Sequence, residues 1–347
     1  MVAVERESLP IMLHTHRSND VVRYLLKHGQ VPGLEGTRVR ASEVRVGRSR
    51  FDFLLEKGRD RVFLEVKSCT FFGNRVAMFP DAVTERGARH LRELASLGQN
   101  RDCGAVVFLV HWPGARIFMP DYHTDLVFSE TLLKVRNKIQ IIPISVRWNS
   151  DLVLEGEPRL LEIPWSFIER ESKDRGSYLL VLYLRRRRNL SIGRIGKISF
   201  PRGYYIYVGS AMKGLERRME RHRHARKPAH WHIDSLRAVA EFCSVLAIRS
   251  SVRLECNIAR ALEGIVQWEI PCFGSTDCGC VTHLFGMANN PFHQLDFHHL
   301  LQHFRMDRYE TGCVIPQTVA YDHGVEMRKS CENMSRVGKK KLGISDR

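Results

Sequence analysis

The 347-residue chain is long enough for about two domains of ordinary size. Lysine and arginine outnumber aspartate and glutamate 54 to 38, a formal charge of +16 that favours a polyanionic partner, nucleic acid first among them. No apolar run approaches the ~18–20 residues of a spanning helix, and Met1–Pro10 lacks a basic region followed by an apolar one, so neither a membrane anchor nor a secretory leader is expected.

In chain order, Ser18-Asn19 reads as the cap of a helix that gathers Val21, Val22, Leu25 and Leu26 on one face and stops at Gly29. A loop with Pro32, Gly33 and Gly36 follows. Strands are predicted over Phe51–Glu56 and Arg61–Lys67, and Gly58-Arg59 suits a two-residue type II′ turn between them. That turn sets Asp52 directly opposite Glu65. Alternation puts Glu65 and Lys67 on one face and Val62, Leu64 and Val66 on the other, core-facing one. Two close carboxylates suit Mg²⁺ or Mn²⁺, which polarises a phosphodiester and activates a bound water. A neighbouring lysine orients that water and offsets developing charge. The same three residues also describe a solvated hairpin face with a cross-strand ion pair. A helix over 84–97 buries Ala88, Leu91, Leu94 and Ala95 and projects Arg86, Arg89 and His90 from another side, as a solvated face or a phosphate-binding one. The segment Leu152–Trp165, with Pro158 and Pro164, followed by the charged run Glu169–Arg175, reads as a linker.

The second half opens with Gly176-Ser177-Tyr178 and an apolar strand, Leu179–Leu184; a second strand, Tyr204–Ser210, carries Tyr205, Tyr207 and Gly209 on one face. A basic helix, Leu215–His222, follows, with Arg218 and His222 on the same side. Between Arg185 and Lys227 stand 14 basic residues against two acidic ones, a composition suited to phosphate contacts, with bases stacking on the tyrosines. Arg185, Arg186, Arg187, Arg188, Arg217, Arg221 and His222 are the candidate nucleic-acid contacts. The competing reading is a buried aromatic strand beside a solvated charged helix. The nine cysteines are scattered and read as reduced thiols of a cytoplasmic protein. Cys272, Cys278 and Cys280 with His283 form the tightest group, but Cys-x-Cys departs from the Cys-x2-Cys knuckle of common zinc folds. The polar stretch 309–347, with Lys339-Lys340-Lys341, reads as a disordered basic tail.

The run Ser42-Glu43-Val44-Arg45-Val46-Gly47, Arg50-Phe51-Asp52-Phe53, Glu65-Val66-Lys67-Ser68 and Phe79–Leu94 resembles the sugar fermentation stimulation protein (SfsA) family over about residues 12–165. The resemblance implies a PD-(D/E)XK nuclease domain that binds DNA, with Asp52, Glu65 and Lys67 as its catalytic signature and Glu43 completing the metal site. It also implies an N-terminal OB barrel; with about eleven residues before the matching region, the barrel is expected to be absent or reduced to one strand. Residues 173–290 resemble a GIY-YIG endonuclease domain. Gly176-Ser177-Tyr178 and Tyr207-Val208-Gly209 stand at its two motifs, and Leu215-x2-Arg218-Met219-x2-His222 matches its helix. By that resemblance Tyr178 or Tyr207 helps activate water, Arg218 stabilises the charged phosphorane-like state, and Glu255 holds one divalent metal; Glu255 also suits a plain first-turn helix position.

The expected organisation is an α/β chain: a remnant and short helix over 1–38, the PD-(D/E)XK-like domain over 39–165, a linker over 166–175, the GIY-YIG-like domain over 176–308 and the tail. The expected function is metal-dependent phosphodiester hydrolysis on DNA. A non-catalytic DNA-binding protein influencing transcription of sugar-utilisation genes, and a nuclease-fold module that binds RNA, are the other two readings.

Overall fold

The computed structural model describes residues 2–97, 101–225 and 230–311. Its contacts divide the chain into two compact units, Met1–Ser172 and Lys173 onward.

The first unit begins with a small hairpin, β1 (Ala3–Arg6) and β2 (Leu9–Met12), and then α1 (Ser18–Lys27). Three antiparallel strands follow: β3 (Arg38–Val46), β4 (Ser49–Lys57) and β5 (Asp60–Cys69). After β6 (Phe71–Phe72) and β7 (Val76–Phe79), α2 (Glu85–Ser96) crosses to β8 (Asp102–Val110), parallel to β5. Then β9 (Ile117–Pro120) pairs β7, and α3 (Leu126–Val135) leads to β10 (Gln140–Trp148), parallel to β8. The edge strand β11 (Leu154–Leu160) and α4 (Trp165–Glu171) close the unit. The six-stranded sheet has the order β11-β10-β8-β5-β4-β3.

The crossover helices α2 and α3 cover one face of this sheet, and α1, which precedes β3, covers the other. Ala105, Val107 and Leu109 of β8 pack with Val22, Leu25 and Leu26 of α1, while Val106, Phe108 and Val110 pack with Leu91 and Leu94 of α2 and Phe128 and Leu132 of α3. The Gly58-Arg59 turn forms as expected, with Lys57 paired to Asp60 and Gly58 at φ 62°. Three expectations fail. The N-terminal remnant contains a strand hairpin as well as the helix. Residues 152–165 include β11, which pairs with β10 at Leu154, Glu155, Arg159 and Leu160 and leaves the ladder between them, where Pro158 stands. The segment expected as a linker over 166–175 is helical through Glu171.

The second unit is an antiparallel five-stranded sheet. Its strands are β12 (Gly176–Leu184), β15 (Gly203–Ala211), β16 (Glu241–Arg249), β17 (Trp268–Glu269) and β18 (Leu284–Met287), in the order β16-β12-β15-β18-β17. β13 (Arg188–Ile192) and β14 (Gly196–Phe200) form a separate hairpin. One face of the sheet packs on α5 (Leu215–Arg223) and α6 (His232–Arg237), the other on α7 (Glu255–Glu263) and α8 (Leu295–Gln302). Alternation along β15 sends Tyr205 and Tyr207 to the first face and Ile206 and Val208 to the second. Residues 309–311 are helical; the rest of the expected tail lies outside the described residues. No helix among the described residues is long and apolar enough to cross a membrane.

Thr84 caps α2, its Oγ1 accepting from Gly87 N at 3.0 Å. The Asp125 carboxylate caps α3 through Phe128 N at 2.9 Å and accepts Thr84 N at 2.8 Å. Thr84→Ala should therefore cost about 1 kcal/mol and loosen α2 alone. Asp125→Ala should cost roughly 2–3 kcal/mol by orphaning two amides. Native-state hydrogen exchange should show protection falling in both helices for Asp125→Ala and in one for Thr84→Ala.

Candidate functional site

Two groups of polar side chains are built into the sheets, one in each unit. In the first unit β4 and β5 pair from Lys57–Asp60 to Phe53–Leu64, and the ladder ends there. The turn geometry predicts a ladder pair between Asp52 and Glu65; the ladder keeps that register to Phe53–Leu64 and stops one step short of it. The Asp52 side chain replaces the next ladder bond, with Oδ2 accepting from Val66 N at 2.7 Å. Oδ1 accepts from Asn19 Nδ2 of α1 at 2.8 Å. The expected side-by-side placement thus holds at the level of neighbours, through a side chain inserted between strands.

Glu65 is not on a solvated face. Its strand lies inside a sheet covered on both sides, and the residue is 3% exposed. A carboxylate there must be paired. Oε1 is held by Lys67 Nζ at 2.6 Å and by His90 Nδ1 at 2.6 Å, while Oε2 is buried without a hydrogen-bond partner. Burial pushes Glu65 up, but the hydrogen bond from His90 and the Lys67 charge outweigh it, so Glu65 titrates below its ordinary range. Asp52 goes the other way: burial and then the Glu65 charge raise it, against the bonds from Val66 N and Asn19. The two environments thus push neighbouring carboxylates in opposite directions.

His90 was expected beside Arg86 and Arg89 on an exposed face. It is buried, because α2 turns that side onto the sheet, and it packs edge-on against Phe51 at 5.8 Å. Arg86 and Arg89 stay exposed, and Arg86 Nε donates to His90 Nε2 at 3.3 Å. Glu43 lies on the neighbouring strand, opposite Asp52. It sits at φ 56°, unpaired in the β3–β4 ladder between Ser42–Phe53 and Val44–Phe51, and its half-exposed carboxylate holds Arg50 Nε at 2.7 Å. Asn19, expected as a helix cap, and His90 are the two partners that sequence reasoning misplaced.

In the second unit Tyr178 of β12 faces Gly209 of β15, and a Cβ at position 209 would lie 2.5 Å from the Tyr178 hydroxyl. Glycine is thus required for the ring to lie across the strand. The hydroxyl meets His222 Nε2 at 2.9 Å. Tyr178, Tyr207, Arg218 and Glu255 line one cleft of about 440 Å³, so the four candidates are brought together. The Arg218 guanidinium stacks 3.9 Å from the Trp231 ring centroid. Glu255 opens α7; Oε2 accepts from Ser210 Oγ, and Oε1 lies 3.2 Å from His283 Nδ1. Burial raises Glu255, yet these two partners bring it below the ordinary carboxylate range. Burial first, and then Tyr207, push the Tyr178 phenol well above its ordinary value.

The expected basic surface is divided. His222 is buried under Tyr178, and Arg221 is bound to Asp234 through two 3.0 Å bonds. Arg217 is exposed, as are Arg185, Arg186 and Arg187, while Arg188 begins β13; Arg185 pairs with Glu241. The arginine run follows Leu184, the far end of β12 from Tyr178, and six strand steps span roughly 20 Å. Tyr205 is fully buried, with its hydroxyl on Pro201 O at 2.7 Å, and cannot stack on a base.

The family model described as the sugar fermentation stimulation protein RE domain matches residues 16–151. A homologue from Methanothermobacter thermautotrophicus is 31% identical over 167 residues, covering 48% of this chain and 70% of the relative. One from Pyrobaculum arsenaticum is 34% identical over 167 residues, 46% of this chain and 71% of the relative. The chain belongs to the sugar fermentation stimulation protein family. A Moorella thermoacetica homologue is 38% identical over 133 residues, 38% of this chain and 57% of the relative. Residues 177–306 match a second model, domain of unknown function DUF123. Among solved structures, Pyrococcus furiosus SfsA in complex with Ca²⁺ is 25% identical, covering 47% of this chain and 71% of that one, with a TM-score of 0.44.

Because the folded Glu65 titrates below its ordinary value, its stabilising contribution is complete above the usual carboxylate range and is lost as pH falls through the lower folded value. Asp52 has the opposite sign: its raised value favours the fold at low pH and is lost as pH rises through it. Glu65→Gln should therefore destabilise the first unit at neutral pH by on the order of 1–3 kcal/mol and flatten the acid limb. Denaturant midpoints at pH 7 and pH 4, taken in chelator, should fall with acid in the parent and change less in the variant.

Proposed function

We propose that this family member is a divalent-metal-dependent nuclease, with a PD-(D/E)XK-type centre at Asp52, Glu65 and Lys67 and DNA as substrate. The observation that carries the reading is Glu65 Oε2, a buried carboxylate oxygen without a partner, beside a second carboxylate that burial and then the Glu65 charge push up. An all-oxygen pair with unused lone pairs fits Mg²⁺ or Mn²⁺. When bound, such an ion supplies Lewis-acid polarisation of the phosphodiester and a more acidic water. Asn19 and Val66 N fix the orientation of Asp52; His90 and Lys67 fix that of Glu65. Lys67, with only part of its side chain exposed, is placed to hold a water and offset charge on the scissile phosphate. Arg86 and Arg89, exposed on the helix that carries His90, are suited to flanking phosphates.

A second reading has its own observation. The cleft lined by Tyr178, Tyr207, Arg218 and Glu255 supports a GIY-YIG-type centre. There Tyr178, bonded to His222, would assist water activation, Arg218 would face the developing charge, and Glu255 would hold a metal. Its carboxylate is already engaged by Ser210 and sits beside His283, which leaves it less available than Glu65 Oε2.

The test is incubation of the full chain with plasmid, single-stranded DNA and RNA, with Mg²⁺, Mn²⁺ or chelator. Cleavage should need metal, and Asp52→Asn should lower it on the order of 10²-fold or more. Arg218→Ala should weaken DNA binding more than turnover at saturating DNA. A fully active Asp52→Asn with a dead Arg218→Ala moves the chemistry to the second cleft. A parent that binds DNA but cleaves nothing with any metal replaces the nuclease with a binding protein, and preference for RNA replaces DNA as the ligand.

A further inference from the structure

Cys256, Cys278, Cys280 and His283 converge in the second unit. One donor atom from each lies within 4.8 Å of every other. Cys256 is the second residue of α7, while the other three lie on the loop between β17 and β18. All three cysteines are free thiols, half-buried rather than exposed. His283 is buried and turns its two ring nitrogens to different partners: Nε2 is 3.5 Å from Cys278 Sγ, and Nδ1 is 3.2 Å from Glu255 Oε1.

We propose that these four residues bind a structural zinc ion. Tetrahedral zinc with Zn–S bonds of ~2.3 Å places its sulfurs about 3.8 Å apart, within the mutual spacing of this group. Three soft thiolates and one imidazole leave no open position, which distinguishes a structural centre from a catalytic one. The Glu255 carboxylate behind Nδ1 is the outer partner that ligating histidines take to fix ring and tautomer. The expected grouping had Cys272 in place of Cys256. Cys272 is disulfide-bonded instead, and α7 supplies the missing ligand from 22 positions before Cys278. Zinc here ties the loop of Cys278–His283 to the first turn of α7, where Glu255 reaches the cleft. The proposal stands whether or not that cleft hydrolyses phosphodiesters.

The test uses the full chain purified under reducing conditions and supplied with zinc, then desalted. Elemental analysis should find about one zinc per chain. Replacement by Co²⁺ should give the visible bands of tetrahedral cobalt with thiolate charge-transfer absorption. Cys256→Ser and Cys278→Ser should each lower retained zinc at least tenfold, while Cys243→Ser, at an exposed free thiol of β16, should keep it. If the ligand variants fail to fold, the cobalt spectrum of the parent still decides. Zinc well below one per chain, an octahedral cobalt spectrum, or a Cys256–Cys278 or Cys256–Cys280 disulfide in place of metal would each overturn the proposal. So would full zinc retention in the folded Cys256→Ser, Cys278→Ser double variant.

Discussion

A charged carboxylate in the middle of a doubly covered sheet governs the first unit. Glu65 lies on β5, between strands on either side and helices above and below, where an ion without partners is strongly disfavoured. The surrounding elements answer that constraint. β5 itself returns Lys67 two residues later on the same face, and α2 lowers His90 onto the sheet. Arg86 then occupies the outer nitrogen of His90, so the buried charge is linked by hydrogen bonds to the protein surface. Removing any member leaves another buried polar group unpaired, which makes the network cooperative rather than a sum of pairs.

The second unit solves a different problem, placing a phenol inside a sheet core. Tyr178 is 1% exposed, and its ring crosses the neighbouring strand only because position 209 lacks a side chain. Its hydroxyl is satisfied by His222, whose own helix end is fixed by Arg237, which donates to the carbonyls of His222, Arg223 and Ala240. The buried arginine thus serves as a C-cap for α5 and keeps both His222 and Arg218 in place.

What was legible in the sequence followed from local rules. The Gly58-Arg59 turn, the alternation along β5 and the helix after Thr84 depend on neighbours in the chain, and each formed. The grouping of Tyr178, Tyr207, Arg218 and Glu255 in one cleft was legible through motif resemblance. What could not be read depended on how helices land on sheets. His90 looks like one more basic residue beside Arg86 and Arg89 until the apolar residues Ala88, Leu91 and Leu94 fix which side of α2 faces down. Asn19 looks like a cap until α1 is laid across β4. Proximity in sequence also misled: Arg185–Arg188 seem to adjoin the tyrosine motif, but the length of β12 separates them. Cys272 was grouped with its sequence neighbours, whereas Cys256 came from another element.

The arrangement of β4 also limits how this region can vary among related chains. Phe51 packs with Phe63 and His90 beneath α2, while Phe53, only two residues on, lies under Arg23 of α1 on the opposite side. A regular strand would send both rings the same way. The strand changes side at Asp52, where its ladder to β5 ends and its ladder to β3 leaves Asp52 and Glu43 unpaired. Inserting or deleting one residue within 49–57 would exchange the two aromatic sides and carry Asp52 off the Val66 amide in the same step. Length changes in natural relatives should therefore collect in the turns at Gly36 and Gly47, leaving the strand itself fixed in length while its exposed side chains drift.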